Sequence, residues 1–264
     1  TKYHHRSSNF YEKIERIIQH FKIEIKGNYS NHSLFKIFKH NKRLLLYFIQ
    51  EKIIEIDDNL LTKMSNELYS NMKYFDYFSP EISFFQKTKV DSEREFDEKF
   101  NEKRLIGDND NIICEMIRND MIEEFIVFVN KHEYRLDSYI PESIFETNYT
   151  LIKNEETTLI EYAAFYGSDQ IFKYLYKNGV ELTTSLIKYG IHGENAEIIH
   201  TLEERGIINN ANIETCIKES IKCHHNDITK YLINNFISDI KQTINTEEDF
   251  KNNLISYCFQ YYNF

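Results

Sequence analysis

Residues 158–202 read TLIEYAAFYGSDQIFKYLYKNGVELTTSLIKYGIHGENAEIIHTL, and this stretch decides the fold. Thr158 and Glu161 form a capping box: the Thr hydroxyl accepts from the backbone N–H three residues on, and the Glu reaches back to the Thr N–H. A short helix follows. Ile160, Ala163 and Ala164 are spaced three and four apart and share one face. Two small residues there let a neighbouring helix come close. Gly167 breaks the helix, and Ser168 opens a second one whose apolar stripe is Ile171, Phe172, Tyr174 and Leu175. Gly179 ends that helix, because a left-handed residue past a C-terminus costs least when it is Gly. Two amphipathic helices of about ten residues cannot stay folded alone. Neighbouring copies have to supply the missing surface, which is the logic of a solenoid.

The string Thr158-Leu-Ile-Glu-Tyr-Ala-Ala-x-x-Gly167 resembles the ankyrin pattern T-P-L-H-x-A-A-x-x-G. Ile171-Phe-Lys-Tyr-Leu175 with Gly179 is similar to that family's second helix and closing Gly. Leu159 stands where the family has Pro and Glu161 where it has His, so the capping box replaces the His-mediated bond at the turn. The steps Pro80-Glu81-Ile82 and Ser143 to Asn148 are similar to an expanded protozoan set of ankyrin proteins with an N-terminal helical domain of unknown function. The resemblance implies a protein-binding scaffold without catalytic residues.

The rest of the chain extends the pattern. With Thr158 as the start of a repeat, the equivalent positions are Ser185, Thr215 and Asn253. The first two steps are shorter than the family's period of about 33 residues, so tight loops with little or no β-hairpin are expected. The third repeat carries Ile217, Ile221, Ile228, Tyr231 and Leu232. The fourth, Asn253 to Phe264, fits a first helix only and ends in Tyr261, Tyr262 and Phe264. Because a stack ordinarily ends in a polar cap, the expectation is that the natural chain continues or that a partner covers this end. Asn109 to Val129 reads as a degenerate repeat, and Lys131 to Asn154 as an insertion with a short helix started by Pro141. Asp91 to Arg104 is a charge run read as a solvated helix. Asn9 to Ile25 is one amphipathic helix stopped by Gly27, Ser33 to Lys52 holds two helical stretches, and Asn59 to Tyr77 is one long helical pattern. Ser79-Pro80 starts a further helix. The expected architecture is all-α: an N-terminal helical domain of degenerate repeats over 1–106, then an ankyrin-like α-solenoid of stacked helix pairs over 107–264, with the insertion at 131–154.

Composition narrows the function. The 264 residues hold only 7 Gly and 2 Pro, too few for a turn-rich sandwich or barrel. A net charge of −10 and the lack of a basic stripe argue against nucleic acid and against anionic membranes. The longest apolar run, Leu44 to Ile49, is too short to span a bilayer. Cys114, Cys216, Cys223 and Cys258 are scattered and read as reduced residues of a cytoplasmic protein. Cys223-His224-His225 with Cys216 lacks zinc-site spacing, and no nucleotide-binding or nucleophile motif occurs. No enzyme, metal or cofactor is therefore expected. A protein partner is expected at the polar positions of the first helices: Glu161, Phe165 and Tyr166; Lys188 and His192; Lys218 and Lys222; Ser256 and Tyr261. The alternative is a structural subunit of a larger assembly, such as a cytoskeletal array.

Overall fold

A computed structural model describes residues 8–65, 72–86, 98–153, 156–243, 247–261 and 263. Among these residues the protein is all-helical and holds no strand; the one isolated β-bridge pairs Tyr139 with Thr158. No described helix is long and apolar enough to cross a membrane. Leu68, Asp91 to Asp97, Tyr262 and Phe264 lie outside the described residues. The chain divides into two compact units, the first 1–111 with 142–155 and the second 112–141 with 156–264. Residues 142–155 thus belong with the first unit.

In the first unit, α1 (Ser8–His20), α2 (Lys22–Asn28), α3 (Asn31–Phe38), α4 (Lys42–Gln50) and α5 (Asp58–Met64) surround an apolar core. Leu44, Leu45 and Phe48 of α4 fill its centre with Leu34, Phe35, Leu60, Tyr77 and Phe78. Side chains cap the helices: Asn41 Oδ1 accepts from Leu44 N at 3.0 Å, and Asp57 Oδ1 from Leu60 N at 2.6 Å. The helix expected from Asn9 to Ile25 is broken at Phe21, and Gly27 lies inside α2 instead of ending it. The long helix expected over Asn59 to Tyr77 is not continuous, since Lys73 is left-handed (φ 47°) before the short α6 (Tyr74–Tyr77). Beyond it come α7 (Ser79–Gln86), α8 (Glu98–Ile106) and, after a gap in sequence, α11 (Tyr149–Lys153). Pro141 starts no helix: residues 141–148 are irregular, and Asn148 Oδ1 accepts from Thr150 N at the head of α11.

Two cations in this unit are buried; one of them, Arg104, ends the charge run, whose other described members are exposed apart from the half-buried Phe100. Arg104 of α8 is 2% exposed; it donates to Tyr77 O and pairs with Glu81 at 2.8 Å. Lys42 is equally buried, donates to Ile144 O at 2.7 Å and sits 4.8 Å from the centre of the Tyr77 ring. Burial lowers the Lys42 ammonium to about 7, against the opposing pull of Glu146.

The second unit consists of α9 (Ile112–Arg118), α10 (Ile122–Lys131), α12 (Leu159–Tyr166), α13 (Asp169–Lys177), α14 (Leu186–Gly193), α15 (Ala196–Glu204), α16 (Ile213–Cys223), α17 (Asn226–Thr243) and α18 (Glu247–Tyr261). The pairs α9–α10, α12–α13, α14–α15 and α16–α17 each pack as neighbours in sequence. The first members also pack on one another in order, α9 on α12, α12 on α14, α14 on α16 and α16 on α18. Among the second members, α10 packs on α13 and α13 on α15.

The turn inside each pair has one geometry. Asp120, Gly167, Glu194 and His224 are all left-handed, with φ between +50° and +69°. At three of them the next residue's N–H closes the Schellman ring, as in Ser168 N to Ala163 O and His225 N to Ser220 O, both near 3 Å. The turns are also tied to each other. Asp120 accepts from Gln170 N and Ile171 N, capping α13 from the preceding pair. Asn195 caps α15 and donates to Gly167 O at 2.9 Å. His224 Nε2 donates to Tyr261 O at 3.0 Å. The predicted capping box is present: Glu161 Oε2 accepts from Thr158 N at 2.8 Å, and Thr158 Oγ1 accepts from Glu161 N at 3.3 Å.

Two expected repeat starts are displaced. Ser185 sits at the N-cap of α14, but Thr215 and Asn253 fall inside their helices. Asn212 closes the preceding loop through Asn209 N and Ile207 O, so α16 begins at Ile213. Gly179 and Gly206, both left-handed, end α13 and α15 with the same 6→1 bonds, Val180 N to Leu175 O and Ile207 N to Leu202 O.

The tightest packing lies between α12 and α14. A Cβ on Gly193 would stand 1.9 Å from the Ala164 carbonyl oxygen, and one on Gly190 would stand 2.9 Å from Leu202 Cδ1. Gly179, by contrast, faces open space. Gly193→Ala is therefore expected to cost at least about 2 kcal/mol through overpacking, while Gly179→Ala costs about 1 kcal/mol from φ alone. Leu175→Ala and Leu202→Ala, both fully buried, should each cost about 2–5 kcal/mol in urea unfolding; losses near zero at both would break the assigned register. In the first unit, unfolded Lys42 binds a proton between pH 7 and 9 that the folded state releases. Stability should rise across that window in wild type, and that rise should be absent in Lys42→Met.

Candidate functional site

The helices α12, α14, α16 and α18 carry the positions singled out in the sequence, three on α12 and two on each of the others. Glu161 is 8% exposed and fully engaged: besides the capping box, its Oε1 accepts from Ser185 Oγ, linking the start of α12 to the start of α14. Phe165 is completely buried. Its ring stacks on His192 (centroids 5.5 Å apart, planes at 25°) and meets Tyr189 edge-on. Phe165 is thus a packing residue between α12 and α14, and the expectation of an open groove residue fails there. His192 is also buried, at 3% exposure, although its place before the turn suggested an exposed residue.

The remaining positions reach solvent. Tyr166 is half-buried against Tyr162, with ring centroids 4.7 Å apart. Lys188 lies 5.4 Å from the Tyr189 ring centre and Lys218 4.9 Å from that of Tyr257. Ser256 is exposed and Tyr261 half-buried. Tyr257 donates to Glu214 at 2.8 Å, and burial together with this carboxylate pushes its phenol up to about 12. Lys188 and Lys218 lie over the Tyr189 and Tyr257 rings, and Lys222 pairs with Glu219, so the first helices carry a strip of lysines, carboxylates and aromatic rings.

Glu219 was not singled out in the sequence, yet it is the electrostatic centre of this surface. Its Oε1 lies 2.9 Å from His192 Nε2 and 2.7 Å from Lys222 Nζ. Burial would raise its carboxyl, but hydrogen bonds from His192 and Lys222 outweigh that and hold it at about 2. Burial lowers His192 below the ordinary imidazole value, against the pull of Glu219. His192 is therefore neutral at pH 7 and donates Nε2–H to an ionised Glu219. In sequence Glu219 is one more acidic residue on an amphipathic helix; its partner His192 comes from another helix, so spacing along the chain could not reveal it.

None of the four cysteines is in a disulfide; Cys114, Cys216 and Cys223 are buried, and burial pushes the Cys216 thiol up to about 12. One group of metal-capable side chains occurs among the described residues: His192, Glu219 and Cys223, whose ligand atoms lie within 4.8 Å of one another. A groove between α15 and α17 is lined by Glu194, Glu197, Ile199, Asp227, Ile228 and Tyr231, with its acidic members at the rim.

No family model, curated protein or solved structure matches this chain.

The His192–Glu219 pair predicts acid lability. The unfolded chain takes up a proton on His192 near its ordinary pKa of about 6.5, and the folded chain resists until lower pH. Stability should fall as pH drops from 6.5 to 5, with a second fall below about 4.3, the ordinary Glu value, as Glu219 protonates first in the unfolded state. His192→Gln should remove the first fall and leave the second; an unchanged profile between pH 6.5 and 5 would remove His192 from the account.

Proposed function

We propose that this chain is a non-catalytic interaction scaffold. In this reading its second unit is an ankyrin-like α-solenoid, and its first-helix strip receives a protein partner. The observation that carries the reading is the ordered packing of α9, α12, α14, α16 and α18, with the same left-handed turn repeated and hydrogen-bonded from pair to pair. Such an arrangement holds side chains from several helices at fixed spacing on rigid elements, which suits recognition of an extended surface. Tyr166, Lys188, Lys218, Lys222 and Tyr261 mix aromatic rings with charge, the composition favoured where proteins meet. Glu161, Phe165 and His192 support that strip from beneath and are not expected to touch the partner. Lys188 and Lys218 each lie over an aromatic ring, so an acidic protein segment is the matching chemistry at these two positions.

The ankyrin resemblance of residues 158–179 supports the same reading. The likeness lies in the capping box, the Ala163-Ala164 pair and the two glycines, all of which have structural roles in this stack. The alternative, a fixed subunit of a larger assembly, uses the same strip and differs in stoichiometry.

The test is crosslinking of the full chain in native extract, read by mass spectrometry, beside the double variant Lys188→Glu/Lys218→Glu. Crosslinks should concentrate on Lys188, Lys218 and Lys222, and the variant should fold normally yet capture the same partner about tenfold less well, the effect of losing about 1.4 kcal/mol. Crosslinks confined to the first unit, or capture unchanged by reversing both charges, would overturn the strip as the binding surface.

A further inference from the structure

His192, Glu219 and Cys223 bring three different metal-binding groups to one place, and the placement is built by rigid elements. Glu219 and Cys223 are one turn apart on α16 and so share a face. His192 comes from α14, the helix packed directly on α16. Cys223 is 1% exposed and His192 3%, so two ligands are already withdrawn from bulk water. The Phe165 ring stacked on the imidazole fixes its plane. The ligand atoms lie within 4.8 Å of each other. Around a tetrahedral zinc, with metal–nitrogen and metal–oxygen bonds near 2.0 Å and metal–sulfur near 2.3 Å, they would stand about 3.5 Å apart. Small side-chain rotations cover that difference without moving either helix.

We propose that His192, Glu219 and Cys223 form a divalent-metal site of zinc class that staples α14 to α16. The donor set selects the ion. An imidazole with a thiolate suits zinc, whereas magnesium and calcium want oxygen ligands alone. Three protein ligands leave the fourth tetrahedral position to water. Binding is balanced by three departures: the Cys223 S–H bond breaks and its proton goes to solvent, the His192 ring gives up its Nε2 proton and takes one from solvent at Nδ1 so that a neutral imidazole presents the Nε2 lone pair, and the Lys222 ammonium swings off Glu219 into water. Lys222 can do so because its long stem is part-exposed, at 18% of its side-chain surface. In the metal-free protein Lys222 and the His192 N–H occupy the carboxylate that the ion would take. The site needs no protein partner, so it does not rest on the protein-binding reading.

The test uses the full chain, stripped of metal by chelation and titrated with cobalt(II), then with zinc(II) against a competing chromophoric chelator. The expected result is saturation at one equivalent with a near-ultraviolet thiolate-to-cobalt charge-transfer band. Cys223→Ser should abolish the band, and Cys258→Ser should leave it intact. Glu219→Gln should weaken zinc by at least about tenfold, the loss that removing even an outer-shell partner brings. Binding without one-equivalent saturation, or a thiolate band that survives Cys223→Ser, would overturn the site. If Cys223→Ser fails to fold by circular dichroism, Glu219→Gln decides: unchanged zinc affinity in that folded variant overturns the proposal.

Discussion

The second unit depends on how closely α12 and α14 approach. Gly193 presents bare backbone to the Ala164 carbonyl, and the space between them is smaller than a methyl group requires. Ala163 and Ala164 are both fully buried on the opposing face. Short helices gain little from their own hydrogen bonds, so their stability comes from the surface shared with neighbours. Bringing backbones together at small residues lets Phe165 pack against Tyr189 and His192 of α14. Further along, α14 packs on α16 and α16 on α18.

The same contact sets the turns. Gly167 is left-handed, and its environment is tight as well: a Cβ there would meet Gly193 O at 2.8 Å. Glu194 and His224 hold the equivalent conformation without being glycine, at a cost of about 1–2 kcal/mol each in isolation. Their side chains return part of it, Glu194 through His225 and His224 through the Tyr261 carbonyl. The turn is therefore the point at which one helix pair registers against the next. It also places His192 one residue ahead of Gly193, and so sets the imidazole over Glu219.

Several polar groups in the interior are satisfied by a backbone carbonyl, a helix end or an opposite charge. Arg104 reaches the Tyr77 carbonyl and Glu81; Lys42 reaches Ile144 O. Glu161, read as a groove residue, is spent on the cap of α12 and on Ser185. What a sequence marks as a polar residue on a helix face can be part of the frame when a neighbouring element lacks a partner.

The chain's own order carried the local features: the all-helical character, the capping box at Thr158, the helix ends at Gly167 and Gly179, and the small-residue face at Ala163 and Ala164. These depend on residues within one turn of each other, so periodicity and capping chemistry expose them. It could not place the break at Phe21, the left-handed Lys73 or the early start of α16, because loop hydrogen bonds and packing override propensity there. The burial of Phe165, Lys42 and Arg104, and the meeting of His192 with Glu219 and Cys223, were decided only by the tertiary structure. Those contacts join residues on different helices, and the spacing that creates them exists in three dimensions and not along the chain.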